Sequence, residues 1–146
     1  MGLTPLPATR RTITVVAAVI VEHGRVLVTQ RPPGSHLAGA WEFPGGKVED
    51  DEDPREALAR ELREELAIDV DAGAILDVAF HRYEPKSVLI LFYLARRTPS
   101  SGPPKTLQVA ALRWCTVEEL DTLAFPPADA SVLAAVRAVL APQAHG

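Results

Sequence analysis

The apolar and polar positions along the chain predict strands interleaved with two longer helices. Residues 12–21 form a continuous β-branched and apolar run, which is typical of a strand buried on both faces. Further strand patterns lie at residues 25–30, 41–43, 69–82, 87–95 and 108–115. Helical patterns lie at residues 54–66 and 128–140, and a capping box at 116–119 predicts a short helix between them. This succession predicts an α/β protein, and several α/β sandwiches would accommodate it.

The helix predicted over residues 54–66 carries an acidic stripe. A glycine turn at Gly45-Gly46 precedes it, Asp53 is a natural N-cap, and Pro54 suits the first helical position. Spacings of three and four residues place two stripes side by side on this helix. The apolar stripe is Leu58, Ala59, Leu62 and Leu66, and the acidic stripe is Glu61, Glu64 and Glu65.

The acidic stripe has two readings. Like charges at these spacings repel by roughly 0.2–0.5 kcal/mol per pair, which a solvated surface tolerates. A hard divalent cation would turn that repulsion into attraction, and Mg²⁺ is the usual ion where phosphates are also bound. The helix taken alone favours a solvated acidic face. The residues before and within the helix form a longer motif, described below, that favours metal binding instead.

Composition narrows the classes of partner. The 146 residues suit one domain, which we place at residues 12–141 between flexible tails at 1–11 and 142–146. The net charge of −4 provides no global basic field, so we expect neither a nucleic-acid polymer nor a membrane as partner. A polyanionic substrate must then be captured by local cations or by a metal ion. Cys115 is the only cysteine, which excludes an internal disulfide and fits a cytoplasmic location.

The stretch from Gly45 to Ile68 resembles the Nudix box. The matching positions are Gly46, Glu52, Arg60-Glu61-Leu62, Glu64-Glu65 and Ile68, with Ala67 in place of the late glycine. The likeness extends from about Val15 to Val139. Residues 41–47 resemble the lead-in of the MutT group, and residues 125–129 resemble that group's base-contacting segment. Residues 16–20 and 113–115 are similar to its CTP pyrophosphohydrolase branch.

The resemblance implies a fold and an activity. The fold is an α/β/α sandwich, of mixed α+β type, with a mixed β-sheet between helices. The activity is Mg²⁺-dependent hydrolysis of a nucleoside triphosphate to a monophosphate and pyrophosphate, with Mn²⁺ as the alternative ion. The role is nucleotide-pool sanitation, and the protein is expected as a monomer or homodimer.

The resemblance also implies the roles of individual residues. The expected catalytic residues are Glu52, Arg60, Glu61, Glu64 and Glu65, with Gly46 and the three box glutamates holding the metal. Arg60 would orient the glutamates by contacting Glu52. The expected substrate-binding residues are Arg31, Lys47, Phe43 and Asp129, with His36 as a weaker contact candidate.

Two positions depart from the family pattern. Ala67 costs roughly 1–2 kcal/mol if the position requires a positive φ, and otherwise the helix continues through it. Gln108 stands where the MutT group carries a loop glutamate that serves as metal ligand or base. An amide accepts hydrogen bonds but takes up no proton, so Glu64, Glu65 or a neighbouring acid would have to activate water.

Asp129 directs the expected base preference. The 8-oxo-dGTP branch carries an asparagine here, whereas the CTP-like branch carries an aspartate. An ionised carboxylate is acceptor-only and suits the exocyclic amine of cytosine. The sequence therefore favours cytidine triphosphates, namely CTP, dCTP or 5-methyl-dCTP, with 8-oxo-dGTP as the alternative. In the competing interpretation, Asp129 merely caps the last helix.

Two further functions remain open at this stage. One is a Nudix hydrolase acting on another nucleoside diphosphate derivative, such as a nucleotide sugar or a dinucleoside polyphosphate. The other is a weakly catalytic nucleotide-binding module, which the amide at Gln108 suggests.

Overall fold

The computed structural model describes residues 11–142, and its strands form one mixed sheet organised around the first strand. The strands are β1 (Thr12–Glu22), β2 (Arg25–Gln30), β3 (Trp41–Glu42), β4 (Gly45–Lys47), β5 (Val70–Arg82), β6 (Ser87–Arg97) and β7 (Ala111–Cys115). The helices are α1 (Pro54–Leu66), α2 (Val117–Leu120) and α3 (Ala130–Leu140), with a 3₁₀ turn at Pro127–Asp129. The tails predicted at 1–11 and 142–146 lie almost entirely outside the described residues.

Strand β1 lies at the centre because it pairs along most of its length. Its residues Thr12 to Ile20 pair in parallel with β6, and Val15 to Ala17 pair antiparallel with β4. Its end pairs antiparallel with β2 through a turn at His23-Gly24, whose φ angles of 52° and 72° match a two-residue hairpin. The main strand order is β3-β2-β1-β6-β5, with β7 paired to β2.

Helices α1 and α3 cover opposite faces of this sheet. Strand β1 shows why, since successive side chains point to opposite faces and both sets are apolar. The α1 side buries Val16, Ala18 and Ile20 of β1 against Leu58, Leu62 and Leu66. The α3 side buries Ala17 and Val19 of β1 against Phe92, Val132 and Val136. The expected α/β/α sandwich with a mixed sheet is therefore confirmed. No helix among residues 11–142 combines the length and apolarity that spanning a bilayer requires.

Three element predictions were wrong in detail. The predicted glycine turn is the strand β4, because Gly45 and Gly46 pair with Ala17 and Val16. The last strand begins at Ala111 rather than at residue 108, because the backbone N–H groups of residues 107 and 108 donate to the Glu65 carbonyl instead of to a strand. Helix α3 begins at Ala130 after a 3₁₀ turn, and the side chain of Val139, expected on its apolar side, is 41% exposed.

The end of α1 accounts for the alanine in the box. Ala67 adopts a left-handed conformation with φ 56°, so the helix does not continue through it. Its N–H donates to the Arg63 carbonyl, and the N–H of Ile68 donates to the Leu62 carbonyl. The bond from Ala67 to Arg63 is the one that defines an αL C-cap, and both bonds occupy carbonyls of the last two turns of the helix. A residue with a Cβ is strained at such a position.

We expect Ala67→Gly to raise the thermal unfolding midpoint. Relief of the left-handed strain exceeds the extra chain entropy of glycine, for a net gain of about 1 kcal/mol. In a domain of this size that corresponds to about 3 °C. The matched control is Ala134→Gly within α3, where the same change should destabilise by about 1 kcal/mol. Thermal denaturation followed by circular dichroism checks both, and a fall in the midpoint of Ala67→Gly would contradict the strain argument.

Candidate active site

Arg60 organises the loop and helix that carry the acidic stripe. Its Nε and Nη2 atoms donate to the two carboxylate oxygens of Glu52, at 2.8 and 2.9 Å. Its Nη1 donates to Glu61 Oε1 at 3.0 Å and to Glu64 Oε2 at 3.2 Å. Its Nη2 also donates to the Lys47 carbonyl at 3.1 Å, which ties α1 to β4. The expected contact between Glu52 and Arg60 is present, and it fixes the end of the loop between β4 and α1 against the helix.

The electrostatics of Glu52 follow from this arrangement. The hydrogen bonds from Arg60 lower its pKa to about 2, and a backbone N–H of Glu49 contributes in the same direction. Glu52 is therefore ionised at any working pH. A permanently charged, bidentate Glu52–Arg60 pair suits a positioning role better than a proton-transfer role.

The two glycines of β4 allow close approach on both sides of that strand. A Cβ on Gly45 would lie 1.9 Å from the Val16 carbonyl oxygen, so a larger residue would break the pairing with β1. A Cβ on Gly46 would lie 2.3 Å from the carboxylate carbon of Glu61. The absent side chain therefore leaves the space in which the Glu61 carboxylate rests against the β4 backbone.

Glu65 is the carboxylate of the stripe that makes no ion pair within residues 11–142, and a backbone N–H of Gly45 and the more distant charge of Arg31 offset only part of the cost of its charge. Burial raises its pKa to about 8, and the negative charges of Glu61 and Glu42 add to the shift. Within residues 11–142, no lysine, arginine or histidine nitrogen lies within 4 Å of it. Burial likewise raises the pKa of Glu61, against the opposing effect of Arg60. Glu64 is exposed and bonded to Arg60.

The donor set fits a hard divalent cation. Partly buried carboxylates beside an unobstructed backbone offer the oxygen ligands that Mg²⁺ prefers. A cation there would also offset the mutual repulsion of Glu61 and Glu65. In the described part of the chain, no three acidic, histidine or cysteine side chains converge tightly enough to form a ready-made metal site. Like-charge repulsion, and the pull of Arg60 on Glu61 and Glu64, account for that separation.

A cavity of about 610 Å³ opens beside Glu65 and the two glycines. Its floor consists of alternate residues of two central strands, namely Ile13, Val15 and Ala17 of β1 and Val88, Ile90 and Phe92 of β6. All four expected substrate-binding residues line it, namely Arg31, Lys47, Phe43 and Asp129. The volume and the mixed apolar and charged lining suit a small-molecule ligand such as a nucleotide.

The expected cations of this cavity differ in their surroundings. Arg31 is held by Glu42, with its Nη1 at 3.0 and 3.3 Å from the two carboxylate oxygens. Its Nε donates to the His36 carbonyl, so Arg31 also shapes the loop after β2. Lys47 is exposed, and no carboxylate of residues 11–142 lies within 4 Å of its ammonium group. Lys47 is thus the more available of the two for an anionic ligand.

Asp129 is a buried residue in the lining of the cavity. It is 6% exposed, and among residues 11–142 its carboxylate has no hydrogen-bond partner. The competing interpretation, in which Asp129 caps α3, is wrong because its side chain makes no capping bond. Burial raises its pKa to about 7, and the charge of Glu42 adds to the shift. Phe43 lines the same cavity and packs edge-to-face on Phe92, with ring centroids 6.2 Å apart.

Four polar or charged cavity residues were missed in the sequence, namely Glu42, Tyr83, Glu84 and Lys86. Glu42 carries a carboxylate whose pKa is raised by burial despite its bonds to Arg31. Its position between two aromatic residues in a short strand was the available signal. Tyr83 and Lys86 come from the β5–β6 hairpin, and nothing in their local pattern marks them. The weak candidate His36 does line the cavity.

Gln108 lies outside the cavity. It is exposed, and its backbone N–H donates to the Glu65 carbonyl at 3.2 Å, which helps to close the end of α1. The side chain is not needed for that bond.

We therefore expect Gln108→Ala to change kcat by less than about twofold, because an amide accepts no proton. Steady-state assay beside Glu65→Gln checks this, and losses of similar size in both variants would reverse the conclusion.

Comparison with known proteins places this geometry in context. The family described as NUDIX domain matches residues 10–136. The chain is 43% identical over 129 residues to the CTP pyrophosphohydrolase of Escherichia coli (strain K12), covering 88% of this chain and 94% of the relative. It is 43% identical over 86 residues to the 8-oxo-dGTP diphosphatase of Proteus vulgaris, covering 58% and 77%.

Solved structures give the same result. The solution structure of the E. coli ORF135 protein superposes with a TM-score of 0.76 at 38% identity, over 93% of this chain and 95% of that one. The crystal structure of a MutT protein from Methanosarcina mazei Go1 superposes with a TM-score of 0.78 at 25% identity, over 91% and 98%. Sequence and fold therefore agree over nearly the whole described chain.

Proposed function

Since this chain belongs to the Nudix hydrolase family, we propose that it hydrolyses nucleoside triphosphates to the monophosphate and pyrophosphate, with cytidine triphosphates preferred. One observation carries the proposal. A single cavity joins Glu65 and the glycines of β4 to Phe43 and a buried Asp129. Phosphates at the first group and a base at the second would occupy it together.

The box residues would act mainly by positioning charge. Phosphoryl transfer requires charge neutralisation and alignment more than covalent chemistry. Glu61, Glu64, Glu65 and the Gly46 backbone would hold Mg²⁺, or Mn²⁺ in its place. When bound, the ion would neutralise phosphate charge and polarise a phosphoryl oxygen.

The remaining steps belong to the chain's own groups. Arg60, fixed by Glu52, holds Glu61 and Glu64 in place. Lys47 attracts the phosphates, and Arg31 fixes the loop beside them through Glu42. Of the box glutamates, Glu65 is the best candidate for activating water. It lines the cavity and makes no ion pair within residues 11–142.

The base preference rests on Asp129. A buried carboxylate without a protein partner favours a ligand that supplies one. The exocyclic amine of cytosine is such a donor. The relative named CTP pyrophosphohydrolase is consistent with this preference. The relatives named 8-oxo-dGTP diphosphatase support the second candidate, an oxidised purine triphosphate.

A nucleotide panel with Mg²⁺ tests the proposal. The panel contains CTP, dCTP, 5-methyl-dCTP, dGTP, 8-oxo-dGTP, a nucleotide sugar and a dinucleoside polyphosphate. Monophosphate and pyrophosphate from a triphosphate would support it. Preferred cleavage of the nucleotide sugar or dinucleoside polyphosphate would favour another Nudix activity, and binding without turnover would favour a binding module.

A further inference from the structure

The last turn of α1 takes hydrogen bonds from a distant loop. A helix leaves the carbonyl groups of its last turn without intrahelical partners. Two of these groups in α1 accept from residues 98–110, which join β6 to β7 and which we call the β6–β7 loop. The bonds run from the N–H groups of Leu107 and Gln108 to the Glu65 carbonyl, at 3.0 and 3.2 Å, and from the Lys105 N–H to the Leu66 carbonyl, at 2.8 Å. The loop therefore holds the backbone from which the Glu65 carboxylate projects.

The side chain of Arg97, at the end of β6, fixes the middle of this loop to the sheet. Its Nη1 donates to the Gly102 carbonyl at 3.0 Å. Its Nε and Nη2 donate to the two carboxylate oxygens of Glu22 on β1, at 2.7 and 2.5 Å. The bidentate pair fixes the plane of the guanidinium, which also lies over the Trp114 ring at 5.9 Å. The position of the loop is thereby set by the central strand of the sheet.

Two prolines connect this anchor to the end of α1. Arg97 holds Gly102, and Lys105 donates to α1. The residues between these two points are Pro103 and Pro104. The proline ring fixes φ and also restricts the residue before it, so a Pro-Pro segment has little conformational freedom. A displacement of Gly102 therefore moves Lys105 as well, and the anchor on β1 and the bonds to α1 act as one unit.

We propose that Arg97 is a positioning residue for Glu65 and acts through the β6–β7 loop. Arg97 lies outside the cavity lining formed by the described residues, so it acts on the site without touching a ligand there. The inference rests on the proposed function, in which Glu65 holds the metal ion and activates water. Without the guanidinium the loop loses its fixed point on β1, and the last turn of α1 opens more often. A misplacement of about 1 Å at a reacting group lowers a rate by up to about a hundredfold.

The kinetic test compares Arg97→Gln with wild type in the full chain. Arg97→Gln should lower kcat about tenfold, and it should raise the Mg²⁺ concentration for half-maximal activity about tenfold, because the last turn is displaced for part of the time. KM for the nucleotide should stay within about twofold, since no contact in the cavity is lost. Arg97→Lys keeps the charge without the planar fork, so its losses should be smaller.

A matched control removes a comparable arginine elsewhere on the sheet. Arg113 of β7 pairs with Glu119 at 3.2 Å and lies over the Trp41 ring at 6.0 Å. It resembles Arg97 in holding a carboxylate and an aromatic ring, but it makes no bond to the β6–β7 loop among the described residues. Arg113→Gln should therefore leave kcat, KM and the Mg²⁺ dependence unchanged.

Two measurements without substrate distinguish positioning from general stability. Amide hydrogen exchange in the last turn of α1, residues 63–66, should be about tenfold faster in Arg97→Gln, whereas exchange in residues 57–60 of the same helix should not change. Added Mg²⁺ should raise the unfolding midpoint of Arg97→Gln less than that of wild type, because a ligand stabilises only the state that binds it. A merely structural role would lower the midpoint without altering either result.

Three results would overturn the proposal. The first is wild-type Mg²⁺ dependence in Arg97→Gln. The second is wild-type exchange in residues 63–66 of that variant, and the third is faster exchange along the whole of α1. If Arg97→Gln does not fold, the double variant Pro103→Gly and Pro104→Gly loosens the connection while Arg97 stays in place, and the same results decide.

The two proposals fail in different ways. If wild-type protein cleaves no nucleoside triphosphate, the proposed function fails, and the positioning role is judged by hydrogen exchange and by the Mg²⁺-dependent midpoint. Faster exchange confined to the last turn of α1, with a smaller Mg²⁺ effect, then supports that role, and unchanged values overturn it. If wild-type protein cleaves triphosphates but Arg97→Gln behaves like wild type, only the positioning role fails.

Discussion

Replacing Glu65 with glutamine is expected to lower kcat by about a hundredfold or more, because it removes the charge on which metal binding and water activation depend. Glutamine keeps the shape of the side chain but takes up no proton and carries no charge. Glu65 enters the cavity beside Gly45 and Gly46 and has no cationic partner among residues 11–142. It is therefore the member of the acidic stripe with the most to contribute to a bound metal.

The fold should survive this substitution. Burial, with the charges of Glu61 and Glu42 in addition, raises the pKa of Glu65, which means that the folded protein disfavours its charge. A neutral glutamine avoids both the burial of a charge and its repulsion by Glu61 and Glu42 in the metal-free protein, so the unfolding midpoint should not fall. Added Mg²⁺ should raise the midpoint of wild type more than that of the variant, since a ligand stabilises only the state that binds it.

A matched control distinguishes the site from the helix surface. Glu56→Gln changes an exposed glutamate in the first turn of the same helix and keeps a residue suited to that position. It should leave kcat unchanged. Glu64→Gln should fall between the two, because Glu64 is exposed and bonded to Arg60. Full activity of Glu65→Gln in saturating Mg²⁺ would rule out the metal-site assignment.

Asp129→Asn is expected to change the ratio of kcat/KM for cytidine triphosphates to that for 8-oxo-dGTP by roughly a hundredfold. A buried group that hydrogen-bonds one base is left with unpaired polar atoms when a base without the matching group binds. The ionised carboxylate accepts hydrogen bonds only, as the cytosine amine requires. An amide also offers a donor, which the O6 oxygen of 8-oxo-guanine would accept. The variant should therefore prefer cytidine triphosphates less and 8-oxo-dGTP more than wild type does. Measuring kcat/KM for both substrates checks this.

The pH dependence of wild type follows from the same carboxylate. Its pKa is raised to about 7, so the acid form, which can donate, prevails below that pH. As pH rises through 7 the donor is lost, and activity on 8-oxo-dGTP should fall relative to activity on dCTP. The asparagine of Asp129→Asn does not titrate. The ratio of its activity on 8-oxo-dGTP to its activity on dCTP should therefore stay constant over about one pH unit on either side of that pKa. An unchanged ranking in the variant would remove Asp129 from base recognition.

Stability supplies an independent check on that pKa. The folded value lies above the ordinary value of 3.8, so wild type binds more protons folded than unfolded in this range. Wild-type stability therefore declines as pH rises from about 4 to about 7. Asp129→Asn does not lose stability in this way. As pH rises across the same range, the unfolding midpoint of the variant should therefore increase relative to that of wild type. Parallel midpoints would show that the buried carboxylate is not perturbed.

Local sequence was sufficient for the elements and for the box. Asp53 caps α1 and Pro54 begins it, as predicted, because capping depends on residues within one turn. The capping box of α2 is present for the same reason. The two-sided burial in the middle of β1 follows directly from the apolar run at residues 15–21. The contact between Glu52 and Arg60 came from the resemblance to the Nudix box rather than from spacing.

Boundaries set by long-range hydrogen bonds were not predictable. Gly45 and Gly46 suggested a turn, yet they form a strand. Their pairing partners in β1 lie about 30 residues earlier in the chain, and no local sequence pattern shows a pairing over that separation. The strand expected from residue 108 begins at Ala111 because the end of α1 takes the preceding N–H groups. Ala67 left two outcomes open, and only the backbone of the folded chain shows its left-handed conformation.

The cavity as a whole is a product of tertiary structure. The chain alone specifies the acidic stripe, the helix that carries it and the candidate cations, because these depend on spacing within an element. It does not specify that Glu42 engages Arg31, that Asp129 is buried without capping α3, or that Tyr83 and Lys86 line the same cavity as Glu65. Burial and proximity between distant segments decide pKa values and neighbours, and both arise only when the sheet brings β1, β4 and β6 together.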